Sequence, residues 1–177
     1  VSLSNVYERD MVENAQLVIM EVNEKAPRTH GDTQVHISEV DYVIDNTFEI
    51  PELPDADPDE VEMKIAGHIS DLVEDGSTLQ IGIGGIPNAV AKLMENKKDL
   101  GIHTEMLTES MIHLFEKGAI TNRKKTLWPG KFIATFAFGT RRMYSFIEDN
   151  SAVFLMRGKY VNDPYVISQN EKMVSIN

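Results

Sequence analysis

Two short apolar runs of this chain end in residues whose chemistry could serve a single site. Residues 101–106 (GIHTEM) contain a carboxylate, Glu105, and residues 80–88 (QIGIGGIPN) end in closely spaced glycines. In an open α/β sheet the ends of neighbouring strands face one crevice, which is where ligands bind. The two runs therefore predict a reactive carboxylate beside a cradle of backbone N–H groups.

Glu105 allows two interpretations. A carboxylate at the end of an apolar strand would be partly desolvated, and such a group can act as a nucleophile in covalent catalysis. Alternatively, Glu105 lies on the surface or caps the helix predicted to follow it, as most glutamates do. The pattern alone leaves both open.

The glycine segment also allows two interpretations. Glycines let a backbone approach a ligand closely, and the following helix N-terminus favours negative charge. The alternative is a tight turn whose glycines serve packing only. The segment lacks the Gly-Lys-Ser/Thr of a Walker loop, and Asn88 or a neighbour replaces the third glycine of a dinucleotide fingerprint.

Other polar residues carry weaker signals. No two of the five histidines form a His-Glu-x-x-His pair and there is no cysteine, so no metal site is expected, and His103 is more typical of a structural residue. Residues 123–125 (RKK) and 141–142 (RR) could hold phosphates or a carboxylate. A solvated turn and a solvated helix face are the alternatives, and Trp128 is typical of a packing anchor.

Composition limits the possible partners. Apolar residues make up 42% of the 177 residues, charged residues 25%, and the formal net charge is −11. This charge disfavours nucleic acid and anionic membranes as partners. No apolar stretch approaches the ~20 residues of a membrane span. We expect a cytoplasmic globular protein that does not bind membranes.

Strand-like and helix-like segments alternate after Gly76, which predicts an α/β fold with a mostly parallel sheet and flanking helices. Residues 1–50 form a less complete α/β segment, in which residues 17–22 (LVIMEV) are expected to be a strand buried on both faces. Residues 51–58 (PELPDADP) are typical of an exposed linker. Asp57 is expected to cap the next helix, with Pro58 at its first position and Glu60 completing a capping box.

Five segments together resemble the acetyl-CoA hydrolase/transferase family, and most closely its 4-hydroxybutyrate and butyrate–acetate CoA-transferase branch. They are residues 26–31 (APRTHG), 80–90 (QIGIGGIPNAV), 102–106 (IHTEM), 117–122 (KGAITN) and 138–142 (FGTRR). The resemblance implies a class I CoA-transferase-like fold of the NagB/RpiA type, incomplete at both ends. Residues 1–50 would be the C-terminal part of a first domain, and residues 59–177 the N-terminal and central part of a second, catalytic domain.

The resemblance also implies an activity. Glu105 matches the family's nucleophile, which attacks an acyl-CoA to give a mixed anhydride and then a glutamyl-CoA thioester. Gln80, Gly84 and Gly85 match positions of the substrate and CoA site, and Asn177 matches an asparagine that approaches the acyl group. Coenzyme A would be a substrate rather than a cofactor, with short-chain carboxylates as the other partners and a homo-oligomer as the whole protein.

We expect an internal piece of a longer protein, since the chain opens on Val1 and the family's later oxyanion-hole loop has no counterpart in it. Such a piece would be inactive alone. An acyl-CoA hydrolase using the same glutamate, or a non-catalytic module that binds CoA or another anion, are the alternatives.

Overall fold

Alternating strands and helices build a parallel sheet in the computed structural model, which describes residues 1–54 and 57–176. The strands are β1 (Ile19–Val22), β2 (His30–Gly31), β3 (Tyr42–Asp45), β4 (Thr78–Ile81), β5 (Gly101–Ile102), β6 (Met106–Leu107), β7 (Phe132–Ala134), β8 (Phe136–Ala137), β9 (Val153–Leu155) and β10 (Met173–Ile176). The helices are α1 (Glu8–Asn14), α2 (Glu60–Ser70), α3 (Gly85–Leu93), α4 (Glu109–Glu116), α5 (Arg141–Ile147), α6 (Gly158–Val161) and α7 (Pro164–Ser168), with a 3-10 turn at Ile37–Glu39. The predicted α/β class is confirmed.

The main sheet is parallel throughout. Strands β10, β4 and β5 pair in that order, and so do β2, β9 and β7. A parallel bridge between His103 and Ile133 joins the two sets, which gives the order β10-β4-β5-β7-β9-β2. Strands β6 and β8, also parallel, continue β5 and β7. The carboxyl ends of the central strands therefore lie at one edge.

One face of this sheet carries the core. Leu79, Ile102 and Phe132 are completely buried, and the Phe132 ring contacts Phe115 of α4 and Phe146 of α5 edge to face. Strand residues that alternate with these point to the opposite face, where α6 packs. Within the described residues, no helix is long and apolar enough to cross a bilayer.

The N-terminal strands β1 and β3 form a separate parallel pair with exposed apolar side chains. Ile19 is 56% exposed, Tyr42 62% and Ile44 52%. The expectation of a strand buried on both faces within residues 17–22 is therefore wrong for this chain. Parallel strands are normally covered on both faces, so this apolar pair lacks its usual covering here.

The predicted linker is exposed but attached. The Tyr144 hydroxyl donates to the Pro51 carbonyl at 2.7 Å, and the Leu53 N–H donates to the Gly139 carbonyl at 2.8 Å. The Arg141 N–H donates to Glu52 at 2.9 Å. These bonds hold the first half of residues 51–58 against α5, while residues 55 and 56 lie outside the described part of the chain.

The cap of α2 differs from the prediction by two residues. The Asp59 carboxylate accepts the N–H groups of Val61 and Glu62, both at 2.8 Å, and the Glu62 carboxylate accepts the Asp59 N–H at 2.8 Å. Asp57 instead pairs with Lys92 at 2.7 Å. The capping box is therefore Asp59–Glu62, and the expected assignment to Asp57 and Glu60 is wrong.

We expect Asp59→Ala to lower the free energy of unfolding by about 1 kcal/mol, because it leaves N–H groups of the first turn of α2 without their acceptor. Asp57→Ala is the matched control, since Asp57 is a nearby exposed aspartate whose single surface ion pair contributes little. Urea unfolding followed by circular dichroism measures both. A larger loss for Asp57→Ala than for Asp59→Ala would contradict the assignment.

Candidate active site at the carboxyl ends of the central strands

Three strand ends meet where the sequence predicts a site. The Thr104 hydroxyl donates to the Ile81 carbonyl at 3.0 Å, so the segment leading to Glu105 lies directly beside the start of the glycine segment. On the other side, the Gly82 N–H donates to the Ile176 carbonyl at 2.7 Å. The ends of β5, β4 and β10 are thus adjacent, and Glu105 and the glycines share one edge of the sheet.

The backbone of Glu105 is firmly held, while its side chain is exposed. Its carbonyl accepts the N–H of Thr135 at 2.8 Å, the Thr135 hydroxyl at 2.8 Å and the Phe136 N–H at 3.2 Å. The carboxylate faces solvent, so the desolvation expected from its place after an apolar strand is absent in this chain. A fixed backbone and an accessible carboxylate suit a group that must reach a substrate.

Asn162 orients this carboxylate. Its Nδ2 donates to Glu105 Oε1 at 3.0 Å, which leaves Oε2 free of that contact. Asn162 directly follows α6, a single turn of helix that the sequence did not predict. Residues 162–164 (NDP) are typical of a turn that opens a helix, and Asp163 does cap α7, but nothing in this pattern relates Asn162 to Glu105.

His103 connects the segment that leads to Glu105 with the end of α6. Its Nε2 donates to the carbonyl of Val161, the residue before Asn162, at 2.9 Å. Burial lowers the pKa of the imidazole and nearby Lys125 lowers it further, against the effect of the carbonyl. Its Nδ1 is buried without a partner among the described residues. His103 thus has the expected structural role, and through Val161 it helps to hold Asn162 near Glu105.

The glycine segment has packing reasons for its composition. Gly84 has φ +128°, a conformation that side chains disfavour, and it directly precedes α3. The Glu62 carboxylate packs directly against Gly85: a Cβ there would lie 1.8 Å from one of its oxygens, so a larger residue would displace the Glu62 side chain. The N–H groups of the first turn of α3 face the same edge as Glu105, but a carboxylate stands beside them.

The remaining predicted positions follow from the strand register. Gln80 is half-buried on β4 and opposite Ser175 of β10. Asn177 lies outside the described residues, whereas Ile176 before it pairs with Ile81. Within the described residues, no three side chains of the His, Cys, Asp and Glu types group as a metal site would require.

The arginines of the 141–142 cluster hold protein elements together. Arg142 pairs with Glu109 at 2.9 Å and Glu116 at 2.5 Å, and Arg141 pairs with Glu49 at 3.0 Å. Both side chains are exposed yet occupied by carboxylates.

Lys125 departs from both interpretations of its cluster, because it is only 4% exposed. Its Nζ donates to the carbonyls of Ile102 at 2.6 Å and Lys131 at 2.7 Å. Trp128, by contrast, packs as expected: it contacts Phe154 edge to face, and its Nε1 donates to the Tyr160 hydroxyl at 2.8 Å.

Comparison with known proteins assigns both ends of the chain to one family. Residues 1–54 match the family model of the acetyl-CoA hydrolase/transferase N-terminal domain, and residues 139–177 match that of the C-terminal domain. The 4-hydroxybutyrate coenzyme A transferase of Clostridium kluyveri is 45% identical over 99% of this chain and 41% of its own length. The succinyl-CoA:cyclohexane-1-carboxylate CoA transferase of Geobacter metallireducens is 47% identical over 99% of this chain and 40% of its own length.

Solved structures give the same result. The crystal structure of 4-hydroxybutyrate CoA-transferase from Porphyromonas gingivalis superposes with a TM-score of 0.95 at 39% identity, covering 99% of this chain and 45% of that one. The chain thus spans about two fifths of the length of the curated relatives it matches.

Lys125 predicts a pH dependence of stability. Burial lowers its pKa from 10.5 to about 7, and a neutral amine still has two N–H groups for its two carbonyl partners. Between pH 7 and 10 the unfolded chain binds one more proton at this residue than the folded chain. The free energy of unfolding should therefore rise with pH by up to about 1.4 kcal/mol per unit from this residue.

Lys125→Met should remove that contribution, whereas Lys124→Met, at an exposed neighbour, should keep it. Urea unfolding between pH 7.5 and 9 measures the slopes. Equal slopes in the two variants would show that Lys125 is charged in the folded protein.

Proposed function

The chain belongs to the acetyl-CoA hydrolase/transferase family, and we propose that it is the part of a CoA-transferase that carries the nucleophilic carboxylate, Glu105. The observation that carries this proposal is the placement of Glu105: an exposed carboxylate on a fixed backbone, oriented by Asn162, beside the glycine segment. The substrates proposed are a short-chain acyl-CoA, such as the 4-hydroxybutyryl, butyryl or acetyl thioester, and a carboxylic acid.

The proposed reaction proceeds through covalent intermediates on Glu105. A carboxylate oxygen attacks the thioester carbonyl, and the CoA thiolate leaves to give a mixed anhydride. The thiolate then attacks the Glu105 carbonyl, which forms the glutamyl-CoA thioester and releases the first carboxylate. A second carboxylate reverses these steps and leaves with CoA. Coenzyme A thus enters as a substrate, and the thioester energy stays within the protein.

Asn162 and the glycine segment have roles in this scheme. When the thiolate attacks the Glu105 carbonyl, negative charge develops on its oxygen, and the Asn162 N–H at 3.0 Å from Oε1 can stabilise it. Gln80, Gly84 and Gly85 are proposed to line the CoA site, with Asn177 near the acyl group. The negatively charged Glu62 carboxylate lies beside Gly85. This segment therefore suits the neutral thioester end of CoA better than its phosphates.

We propose that residues 1–50 complete a first domain, that residues 51–58 link the domains, and that residues 59–177 form much of the second. The exposed apolar pair β1 and β3 supports the first point, since such strands are normally covered. A homo-oligomeric whole protein and a cytoplasmic location stay predictions.

One observation favours an acyl-CoA hydrolase as the second candidate. The Glu105 side chain is exposed in this chain, so water could reach a glutamyl thioester formed on it. A transferase passes CoA to a carboxylic acid, whereas a hydrolase releases it as free CoA. The two can be distinguished by adding acetate to the acyl-CoA and measuring how much free CoA and how much acetyl-CoA form. Release of CoA that acetate does not suppress would favour hydrolysis. A module that only binds CoA would release none.

We expect borohydride to trap Glu105 when the whole protein carrying this segment is incubated with butyryl-CoA. The reagent reduces a glutamyl thioester to an alcohol, which peptide mass spectrometry locates. Glu105→Gln should abolish trapping and lower the transfer rate by at least about 10³-fold, as loss of a covalent nucleophile does. Glu171→Gln, at another exposed glutamate, is the control. An active protein with unmodified Glu105 would refute the proposal.

A further inference from the structure

Helix α6, which precedes Asn162, is held at its first turn by Arg157. The Arg157 side chain is only 16% exposed. Its Nη1 donates to Asp10 at 2.9 Å and to Glu13 Oε2 at 2.6 Å, and its Nε pairs with Asp32. Three carboxylates thus converge on one arginine, whose planar fork suits such simultaneous contacts.

All three carboxylates belong to the first 32 residues of the chain. Asp10 and Glu13 lie on α1, and Asp32 directly follows β2. The backbone reinforces this contact: the Gly158 N–H donates to the Val6 carbonyl at 3.1 Å, and a Cβ on Gly158 would lie 2.9 Å from that oxygen. The start of α6 is therefore fixed on the N-terminal segment.

The other end of α6 lies at the site. The Val161 carbonyl accepts from His103, and Asn162 donates to Glu105. Only the four residues of α6 separate Arg157 from Asn162, so a displacement at Arg157 acts on Asn162 through a single helical turn. Without the guanidinium, Asp10, Glu13 and Asp32 would face one another with less compensating charge, and their repulsion would move the start of α6.

We propose that Arg157 is a positioning residue for the Glu105 carboxylate, acting through α6 and Asn162. The N-terminal segment thereby sets the orientation of a group that lies more than 70 residues further along the chain. The catalytic consequence rests on the proposed function of Glu105, but the geometric one does not, and the two can be tested separately.

The geometric test measures the Asn162 side chain by NMR. In the whole protein with Arg157 intact, Glu105→Gln should shift the Nδ2 amide signals of Asn162, because it removes the charged acceptor. With Arg157→Met, we expect this response to disappear and hydrogen exchange in residues 158–162 to become at least about 10-fold faster. Arg9→Met is the matched control, since Arg9 pairs with Glu13 and Glu39 in the same acidic neighbourhood but is not part of α6.

The catalytic test uses the whole protein and a double-mutant cycle. Arg157→Met should lower kcat about 10-fold with little change in KM, as small misplacement of a reacting group does. In an Asn162→Ala background it should have no further effect, because Arg157 acts through Asn162. A residue needed only for folding would instead lower the folded fraction equally in both backgrounds.

The outcomes separate the two proposals. An Asn162 response that persists in Arg157→Met, or kcat losses that multiply in the double variant, would overturn the positioning role. If Arg157→Met abolishes the Asn162 response while Glu105 is never trapped by borohydride in the unsubstituted protein, the positioning role stands and the proposed function fails.

Discussion

Parallel pairing of Leu79 with Ile102 places the ends of β4 and β5 at one edge of the sheet, and the Thr104 hydroxyl extends that pairing to Ile81. The site depends on this register. A slip of one residue would turn Thr104 away from Ile81 and move both His103 and Glu105 to the helix-covered face. Buried apolar residues on the helix-covered face prevent the slip, because it would move Ile102 out of the core. The packing of the core therefore fixes the position of the carboxylate.

Sequence patterns predict this part of the fold well. Strands of a covered parallel sheet are short apolar runs, and β4, β5 and β10 have this pattern, so the proximity of Glu105 to the glycine segment could be anticipated. Helix α6 could not. Its four residues are too few for a helical period, and it depends on Arg157 contacts with residues more than 100 positions earlier. The orientation of Glu105 by Asn162 is a tertiary effect without a local signal.

Two errors have specific physical causes. Asp57 and Asp59 both precede a glutamate by three residues, so each fits a capping box, and only the tertiary position of Lys92, which binds Asp57, distinguishes them. The expected burial of residues 17–22 assumes that apolar strands find a covering layer. In this chain the described residues place no layer over Ile19, so the local pattern is right about the strand and wrong about its burial.

The distribution of positive charge limits what this part of the chain does with an anionic substrate. Arg157 binds three carboxylates, Arg142 binds two, and Lys125 is buried against carbonyl groups. The two arginines stabilise the positions of α6 and α5, the Lys125 amine stabilises that of β5, and none of the three is directed at the edge where Glu105 lies. Because Glu62 adds negative charge beside the glycine segment, the phosphates of the proposed CoA substrate would be bound more favourably elsewhere. The edge itself then suits the proposed approach of a neutral thioester to the Glu105 carboxylate.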